Sequence, residues 1–477
     1  MTKRELQFLI RNRMYTTTIM INIPEILEDI LYELKSIGVL PILVGGCVRD
    51  SLLNLPSKDY DIELFNVDSF EKVEKSLKKF GRVKEVGRSF GVILLTAQEY
   101  SFDFALARIE KKIDKGHKGF EVDTSASLSY KEAALRRDFT INSIGYDYFE
   151  KRFLDPYKGI KDLENKILRH IKDETFIEDA LRVYRAVQFC SRFNLKLDFN
   201  TQKLCKKMVK TEEFKTLPKE RIFEEFKKLF LKSEKPSLGF NLLKELGILD
   251  YFPELKALVG CIQDKEYHPE GDVWIHTLMS LDEMVKIKTG EQYRDLYLFY
   301  AVLCHDFGKP FCTKEINGRI TSHKHEALGV EPAISFLSKI TSEKKFIEKI
   351  IPLIKNHLAP FQLYKAHSSL KAVKRLSLKC NIEDLCLVCL ADCKGRTIPN
   401  KEKCDEAVKW LLEKAVEMNI SNEALKPFVQ GRDLITLGMK PSKEFKEILD
   451  YALNLQIDEE LQKDEILERV KKRFKIE

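Results

Sequence analysis

The chain is 477 residues long, 44% hydrophobic and 32% charged, with a formal net charge of +7. That is too long for one compact core and predicts three or four domains of an ordinary soluble globular protein. No apolar run approaches the roughly 20 residues of a membrane span, and the mild basic excess permits a polyanionic partner without demanding one.

The opening "MTKRELQFLIRNRMYTTTIMIN" mixes basic and apolar residues, and no apolar run in it is longer than Phe8 to Ile10. Residues 1–22 therefore read as a tail rather than a signal peptide. Residues 23–36 carry the periodicity of an amphipathic helix, and "PILVGG" reads as a strand ending in a glycine turn. Further strands are expected at "DYDIELF", "GVILLTA" and "YSFDFALA", which makes the front of the chain α/β or α+β. From about Lys161 the pattern turns helical, as in "IEDALRVYRAVQFCSRF" and "KERIFEEFKKLFL", and stays so. Breaks near Pro253, Pro269–Gly271 and Thr397–Asn400 mark approximate boundaries. The eleven cysteines cannot all pair within the chain, which favours a reducing cytoplasm. Cys386, Cys389 and Cys393 fall at i, i+3 and i+7 of an expected buried helix and read as core packing rather than a zinc site.

Chemistry concentrates first in "LVGGCVRDSLLNLPSKDYDIELF", Leu43 to Phe65. Side chains at i and i+2 of a strand share a face, so Asp59 and Asp61 project together. Two carboxylates that close repel unless something positive sits between them. A pair of Mg²⁺ ions would do this, activating a hydroxyl and steadying a leaving phosphate. The two glycines allow backbone N–H groups to approach a triphosphate, and Arg49 adds a fork of donors. Asp103, in a later apolar strand able to lie beside the first, is the best third carboxylate. A lone Asp-x-Asp is also common as a solvated strand edge; the preceding "GGCVRD" makes the functional reading stronger.

Taken in order, "GGCVRDSLLNLPSKDYDIE", "RRDFTINSIGYD", "FLDPYKGIKDLENKILRHI" and "EDALRVYRAVQF" resemble the motifs of class II tRNA nucleotidyltransferases, the bacterial-type CCA-adding enzymes. These are relatives of bacterial poly(A) polymerases within the polymerase β superfamily. The resemblance runs from about residue 40 to the end, where "HPEGDVWIHTLM", "CHDFGKP" and "VQGRDLITLGMKP" are similar to segments of longer members. It implies a polymerase-β-like α/β (α+β) head followed by an all-α body, with Asp59 and Asp61 holding Mg²⁺. Gly45, Gly46, Arg49 and Arg137 would handle the triphosphate, Asp138 would join the nucleotide-binding set, and Asn142 would meet the ribose. By physics alone, Arg136-Arg137-Asp138 reads equally as a solvated helix end, and Asn142 as a buried amide bonded to backbone.

Helical spacing over "EDALRVYR" puts Asp179, Arg182 and Arg185 along one side of a helix. A carboxylate accepts and a guanidinium donates, which matches the amino donor and ring-nitrogen acceptor of cytosine and adenine and mismatches uracil and guanine. An intrahelical salt bridge worth about 0.5 kcal/mol is the plainer alternative. The family commonly has arginine where this chain has Gln188. "KERIFEEFKKLF" and "KKMVK" fit either an RNA-contacting neck or wet amphipathic helices. The loop "RIEKKIDKGHKGFEVDTSAS" keeps Arg108 and Glu110, resembling the segment with which complete enzymes switch from C to A.

Seven of the nine histidines lie between His268 and His367. His276, the adjacent His305 and Asp306 at an expected helix end, and Asp392 resemble the HD phosphohydrolase superfamily, in which these four residues bind a divalent transition metal. Imidazole and carboxylate ligands suit Ni²⁺, Mn²⁺, Co²⁺ or Fe²⁺ better than Mg²⁺. His323, His325 and His357 would hold a second ion, orient phosphate or be ordinary histidines; His117 and His170 read as structural, and His268 and His367 have no assigned role. The expected organisation is a tail (1–22), head (23–170), helical neck (171–260), HD domain (261–400) and C-terminal tRNA-binding region (401–477). The expectation is a cytoplasmic enzyme that uses CTP and ATP on the acceptor stem and 3′ end of tRNA, with no membrane association. A CC-adding, A-adding or poly(A)-adding enzyme is the near rival, and an HD nucleotide hydrolase with a binding front domain the distant one.

Overall fold

A computed structural model describes residues 21–85, 91–107, 109–112, 120–123, 128–399 and 401–476. Arg108, His117, the tail up to residue 20 and most of the expected switching loop lie outside the described residues. The chain forms two compact units, residues 1–217 and 218–477, so the boundary falls within the expected neck.

In the first unit, α1 (Glu25–Ser36) buries Leu27, Ile30, Leu31 and Leu34, the stripe that its sequence periodicity predicts. There follow β1 (Leu40–Val44), α2 (Gly46–Leu52), β2 (Asp59–Phe65), α3 (Phe70–Leu77), β3 (Arg82–Glu85), β4 (Val92–Ala97) and β5 (Tyr100–Leu106). A ribbon of β6 (Ile109–Lys112) and β7 (Phe120–Asp123) precedes α4 (Tyr130–Ala134), β8 (Gly145–Asp147) and β9 (Arg152–Leu154). The main sheet runs β3-β4-β5-β2-β1-β8-β9. Its β2–β5 pair is parallel and the others are antiparallel. Ile42, Val44, Phe65, Ala107 and Ala133 form a buried cluster beside it. Helix α5 (Arg182–Phe193) follows the sheet.

The second unit is helical, beginning with α6 (Lys219–Lys232). At its centre pack α7 (Val273–Lys286), α8 (Gln292–Cys304), α9 (Lys344–Asn356) and α10 (Ile382–Lys394), with α11 (Glu402–Glu417) against α10. Every residue of α8 from Asp295 to Cys304 is buried, so this helix is the hub. A separate apolar cluster from Val429 to Val470 closes the C-terminal end. Among the described residues, no helix is long and apolar enough to cross a membrane.

Three details differ from expectation. The helical run is interrupted by a hairpin, β10 (Lys314–Ile316) and β11 (Arg319–Thr321), because Asn317 and Gly318 both take positive φ and form the two-residue turn that suits a hairpin. A two-stranded parallel pair, Ile167–Leu168 with Lys196–Leu197, also lies inside the expected helical region. Finally, Cys386 and Cys389 are buried free thiols as expected, but Cys393 does not merely pack: it is disulfide-bonded to Cys404, since the last turn of α10 meets the first turn of α11 with Cα atoms 5.8 Å apart.

Candidate functional site

In β2 the period-two alternation buries Tyr60, Ile62 and Leu64 on one face and sets Asp59, Asp61 and Glu63 on the other. The parallel register places Asp103 of β5 directly beside Asp61. Asp59 and Asp61 are exposed, whereas Glu63 is only 1% exposed. Protein packed around Asp61 holds its carboxyl above the usual range, with Asp59 and Glu63 adding repulsion against the pull of Arg137 and Arg49. Asp103 is raised in the same way, by burial first and then by Asp61 and Asp59. Three clustered carboxylates whose ionised forms resist one another are a donor set fitted to hard divalent cations.

The chain turns at Gly45 with φ 71° and ψ −128°. A Cβ there would lie 2.8 Å from Arg137 Nη1 and 3.1 Å from Asp61 Oδ2, side-chain ends that can shift, so it is the positive φ that favours glycine. Gly46 begins α2. Arg137 therefore stands over the turn, its Nη2 reaching to 3.5 Å from Glu63 Oε1, an oxygen that Arg136 also engages.

Arg49, expected at the triphosphate, is 4% exposed and is tied into the fold. Its Nε and Nη2 donate to Asp50 Oδ1 at 2.8 and 2.7 Å, its Nη1 donates to Asn142 Oδ1 at 2.5 Å, and its guanidinium lies 4.6 Å from the Phe193 ring. Asn142 in turn donates to Asp138 Oδ1 at 2.8 Å, so its amide bridges side chains rather than backbone. Asp138 Oδ2 accepts from Arg185 Nε at 2.7 Å. Burial opposes the Asp138 charge, yet Arg185, Asn142 and Arg182 together hold its carboxyl below the usual range.

The expected helix face of Asp179, Arg182 and Arg185 needs correcting, because α5 starts at Arg182 and Asp179 sits in the turn before it. Asp179 Oδ1 accepts from Leu181 N at 3.1 Å, the local hydrogen bond with which aspartate competes against helix. Arg182 Nη1 donates to Thr175 O, and Nη2 to Arg136 O at 2.8 Å. Gln188 is buried on α5.

In the helical unit, the four residues expected to bind a transition metal converge. His276 comes from α7, His305 caps α8, Asp306 follows it and Asp392 lies on α10. His276 Nε2 is 3.0 Å from Asp392 Oδ1 and 3.3 Å from His305 Nε2, which is itself 3.2 Å from Asp306 Oδ2. Asp306 Oδ1 lies 3.3 Å from His325 Nε2, which faces His357 Nε2 at 3.2 Å. Gly308 permits this closeness, since a Cβ there would come within 2.0 Å of the His325 carbonyl oxygen.

The outer nitrogens explain the arrangement. Nδ1 of His305, His325 and His357 donates to the carbonyls of Val302, Ser322 and Ile354 at 2.7, 2.8 and 2.7 Å. Nδ1 of His276 lies 2.9 Å from Glu270 Oε1. These outer contacts turn each Nε2 inwards, an arrangement suited to metal ligation; burial works against charge on the His305 ring, yet Asp306 and Asp392 hold its imidazole above the usual range. Burial and the neighbouring His305 and His325 push the His357 imidazole down to about 3, which keeps it a neutral donor.

A cavity of about 640 Å³ opens onto Asp306, Asp392, His325 and His357 and is rimmed by Lys309, Arg396, Gln263 and Tyr267. His323 lines it without joining a ligand cluster among the described residues, and His170 is held by Thr201 and Asp173, as a structural histidine should be. Glu63 and Glu270 were not anticipated; the signals were the third alternate carboxylate of "DYDIE" and the His-x-Glu of "HPE".

A sheet with paired carboxylates beside a glycine turn, followed by a helical body, defines a polymerase-β-like nucleotidyltransferase. Residues 42–169 match the family model described as "Poly A polymerase head domain", and residues 194–258 that described as "Probable RNA and SrmB- binding site of polymerase A". The "Multifunctional CCA protein" of Mannheimia succiniciproducens is 34% identical over 396 residues, covering 79% of this chain and 90% of that protein. That of Xanthomonas campestris pv. campestris is 34% identical over 368 residues, covering 74% and 85%. The chain belongs to the bacterial CCA-adding enzyme and poly(A) polymerase family. Its fold is shared with the Bacillus stearothermophilus CCA-adding enzyme in complex with CTP (TM-score 0.62, 20% identity, covering 95% of this chain and 100% of that one). It is shared too with the Thermotoga maritima CCA-adding enzyme complexed with tRNA (TM-score 0.56, 18% identity, 96% and 97%).

Proposed function

We propose that this chain adds C, C and A to tRNA 3′ ends in the cytoplasm, using CTP and ATP. The observation that carries the reading is the parallel β2–β5 register, which groups Asp59, Asp61 and Asp103 beside the Gly45 turn and Arg137. The relatives named for CCA addition, and a fold shared with enzymes seen with CTP and with tRNA, support it. Asp59, Asp61 and Asp103 would hold Mg²⁺, which supplies activation of the attacking 3′ hydroxyl and charge neutralisation at the leaving group. Arg137 would donate to the triphosphate, which Gly45 and Gly46 let approach the main chain. Arg49, Asp138, Asn142 and Arg185 would act from behind, as the buried network that fixes α5 against the turn after α4.

Incubating the protein with tRNA lacking CCA and each nucleotide, then sequencing the product ends, tests this. Ends that stop at CC, gain only A, or carry an A tract would favour the partial or poly(A)-adding alternatives. Base choice would lie with Asp179 and Arg182, the carboxylate taking the amino group and the guanidinium the ring nitrogen. Arg182→Ala should then lose CTP and ATP together, with discrimination against UTP weakened roughly tenfold, a mismatch cost of about 1–3 kcal/mol. Single-turnover incorporation of all four nucleotides checks it; equal slowing of all four would make Arg182 a scaffold residue.

A second site is favoured by the converging Nε2 atoms in the helical unit. We propose HD-type phosphohydrolase chemistry there, with His276, His305, Asp306 and Asp392 holding a divalent ion such as Ni²⁺ or Mn²⁺, and Asp306, His325 and His357 able to take another. A bound ion would supply Lewis-acid activation of water and phosphoryl group. Lys309 and Arg396, at 2.7 and 3.0 Å from Asp306 and Asp392, would bring positive charge to the substrate phosphate, with Gln263 steadying Lys309 at 2.6 Å.

A further inference from the structure

We infer that Glu63 is a positioning residue for nucleotide triphosphate, acting through Arg137; the inference rests on the nucleotide-transfer reading above. Glu63 continues the strand face of Asp59 and Asp61 but is buried, so it is not open to solvent ions as they are. A buried carboxylate needs compensation, and two guanidiniums provide it. They do so unequally. Arg136 engages Oε1 closely, whereas Arg137 Nη2 stands 3.5 Å away, beyond the 2.7–2.9 Å usual for a charge-assisted hydrogen bond. Oε2 has no hydrogen-bond partner.

Arg136 thus holds Oε1 at close range, while Arg137, whose charge acts more strongly on Glu63, is aligned by it from the longer distance. Arg137 Nη1 meanwhile reaches the Gly45 turn beside Asp61, where the proposed triphosphate would lie. The main chain of Arg136 is in turn fixed by Arg182 Nη2, so the triad is anchored to α5. Were Glu63 neutral, the nearest anion for Arg137 would be Asp61, and the guanidinium would fall onto the carboxylate that should hold a metal ion.

Steady-state incorporation into tRNA lacking CCA by the full-length protein tests this. Glu63→Gln should raise KM for CTP and ATP alike by roughly tenfold while kcat changes far less, and inorganic tripolyphosphate should inhibit it correspondingly more weakly. Arg137→Ala should show the same split, and the double variant should be no worse than Arg137→Ala alone. If Glu63→Gln does not fold, Glu63→Asp, which keeps the charge but draws it back along the strand face, should give the same KM rise. Unchanged KM in a folded variant, an additive double variant, or a fall in kcat alone that tracks lost thermal stability would each overturn the inference. Absence of incorporation by the wild-type protein would instead overturn the reading beneath it.

Discussion

Asp61→Asn is expected to abolish nucleotide addition while making the ion-free protein more heat-stable. Loss of a carboxylate oxygen from a cluster of three would cost the site its metal affinity and, with it, several kcal/mol of transition-state stabilisation, at least about a thousandfold in rate. tRNA binding should survive, because the side chain is placed to meet cations and not RNA. The stability effect has the opposite sign. Packing and like charges raise the Asp61 pKa above 3.8, so the folded state holds its proton more firmly than the unfolded chain does. Above that raised pKa the ionised side chain opposes folding, and stability recovers as pH falls through it towards 3.8. In chelator near neutral pH, calorimetry should place Asp61→Asn above wild type, with the gap narrowing on acidification. Normal incorporation by the variant would remove the two-metal reading, whereas absence of incorporation by the wild type would favour the distant rival, a hydrolase with a binding front domain.

Changing His305 and Asp306 together to Ala should strip the helical unit of transition metal and of Ni²⁺- or Mn²⁺-dependent hydrolysis of 2′,3′-cyclic phosphates, yet spare CCA addition. Both residues face the proposed ion, and Asp306 touches His325 as well, so the pair serves each half of the cluster. Both are about 1% exposed at the hub of the bundle, so folding must be checked by circular dichroism first. Elemental analysis should show metal at background in the variant and bound in wild type. The two carboxylate clusters lie in different compact units of the chain, which is why incorporation should persist. If incorporation by a folded variant vanished too, the two sites would have to be treated as one.

What the sequence disclosed and what it withheld separate along physical lines. Asp59 and Asp61 were legible because a strand has a period of two, and Asp103 because it sits in a later apolar strand able to lie beside the first. The histidine-rich segment marked a site, and the resemblance to the HD superfamily singled out His276, His305, Asp306 and, beyond that segment, Asp392. Hydrogen-bond partners were not visible in this way. Nothing local says that Arg49 spends its donors on Asp50 and Asn142, or that Asp179 turns the chain before α5 instead of riding on it. Glu63 and Glu270 escaped notice because their roles depend on which side chain of another element arrives beside them. The Asn317–Gly318 turn was written in the residues themselves, but the helical pattern around it obscured the signal.

The β2–β5 pairing bears on the order of events during synthesis. The two strands are neighbours in the sheet but not in the chain, because α3, β3 and β4 are made between them. Parallel pairing over such a distance forms late, after the local hairpins. A nascent head in which β5 has not docked would carry Asp59 and Asp61 without Asp103. On the proposed reading it would lack one of the three carboxylates of the metal site, so that nucleotide addition would await completion of the head.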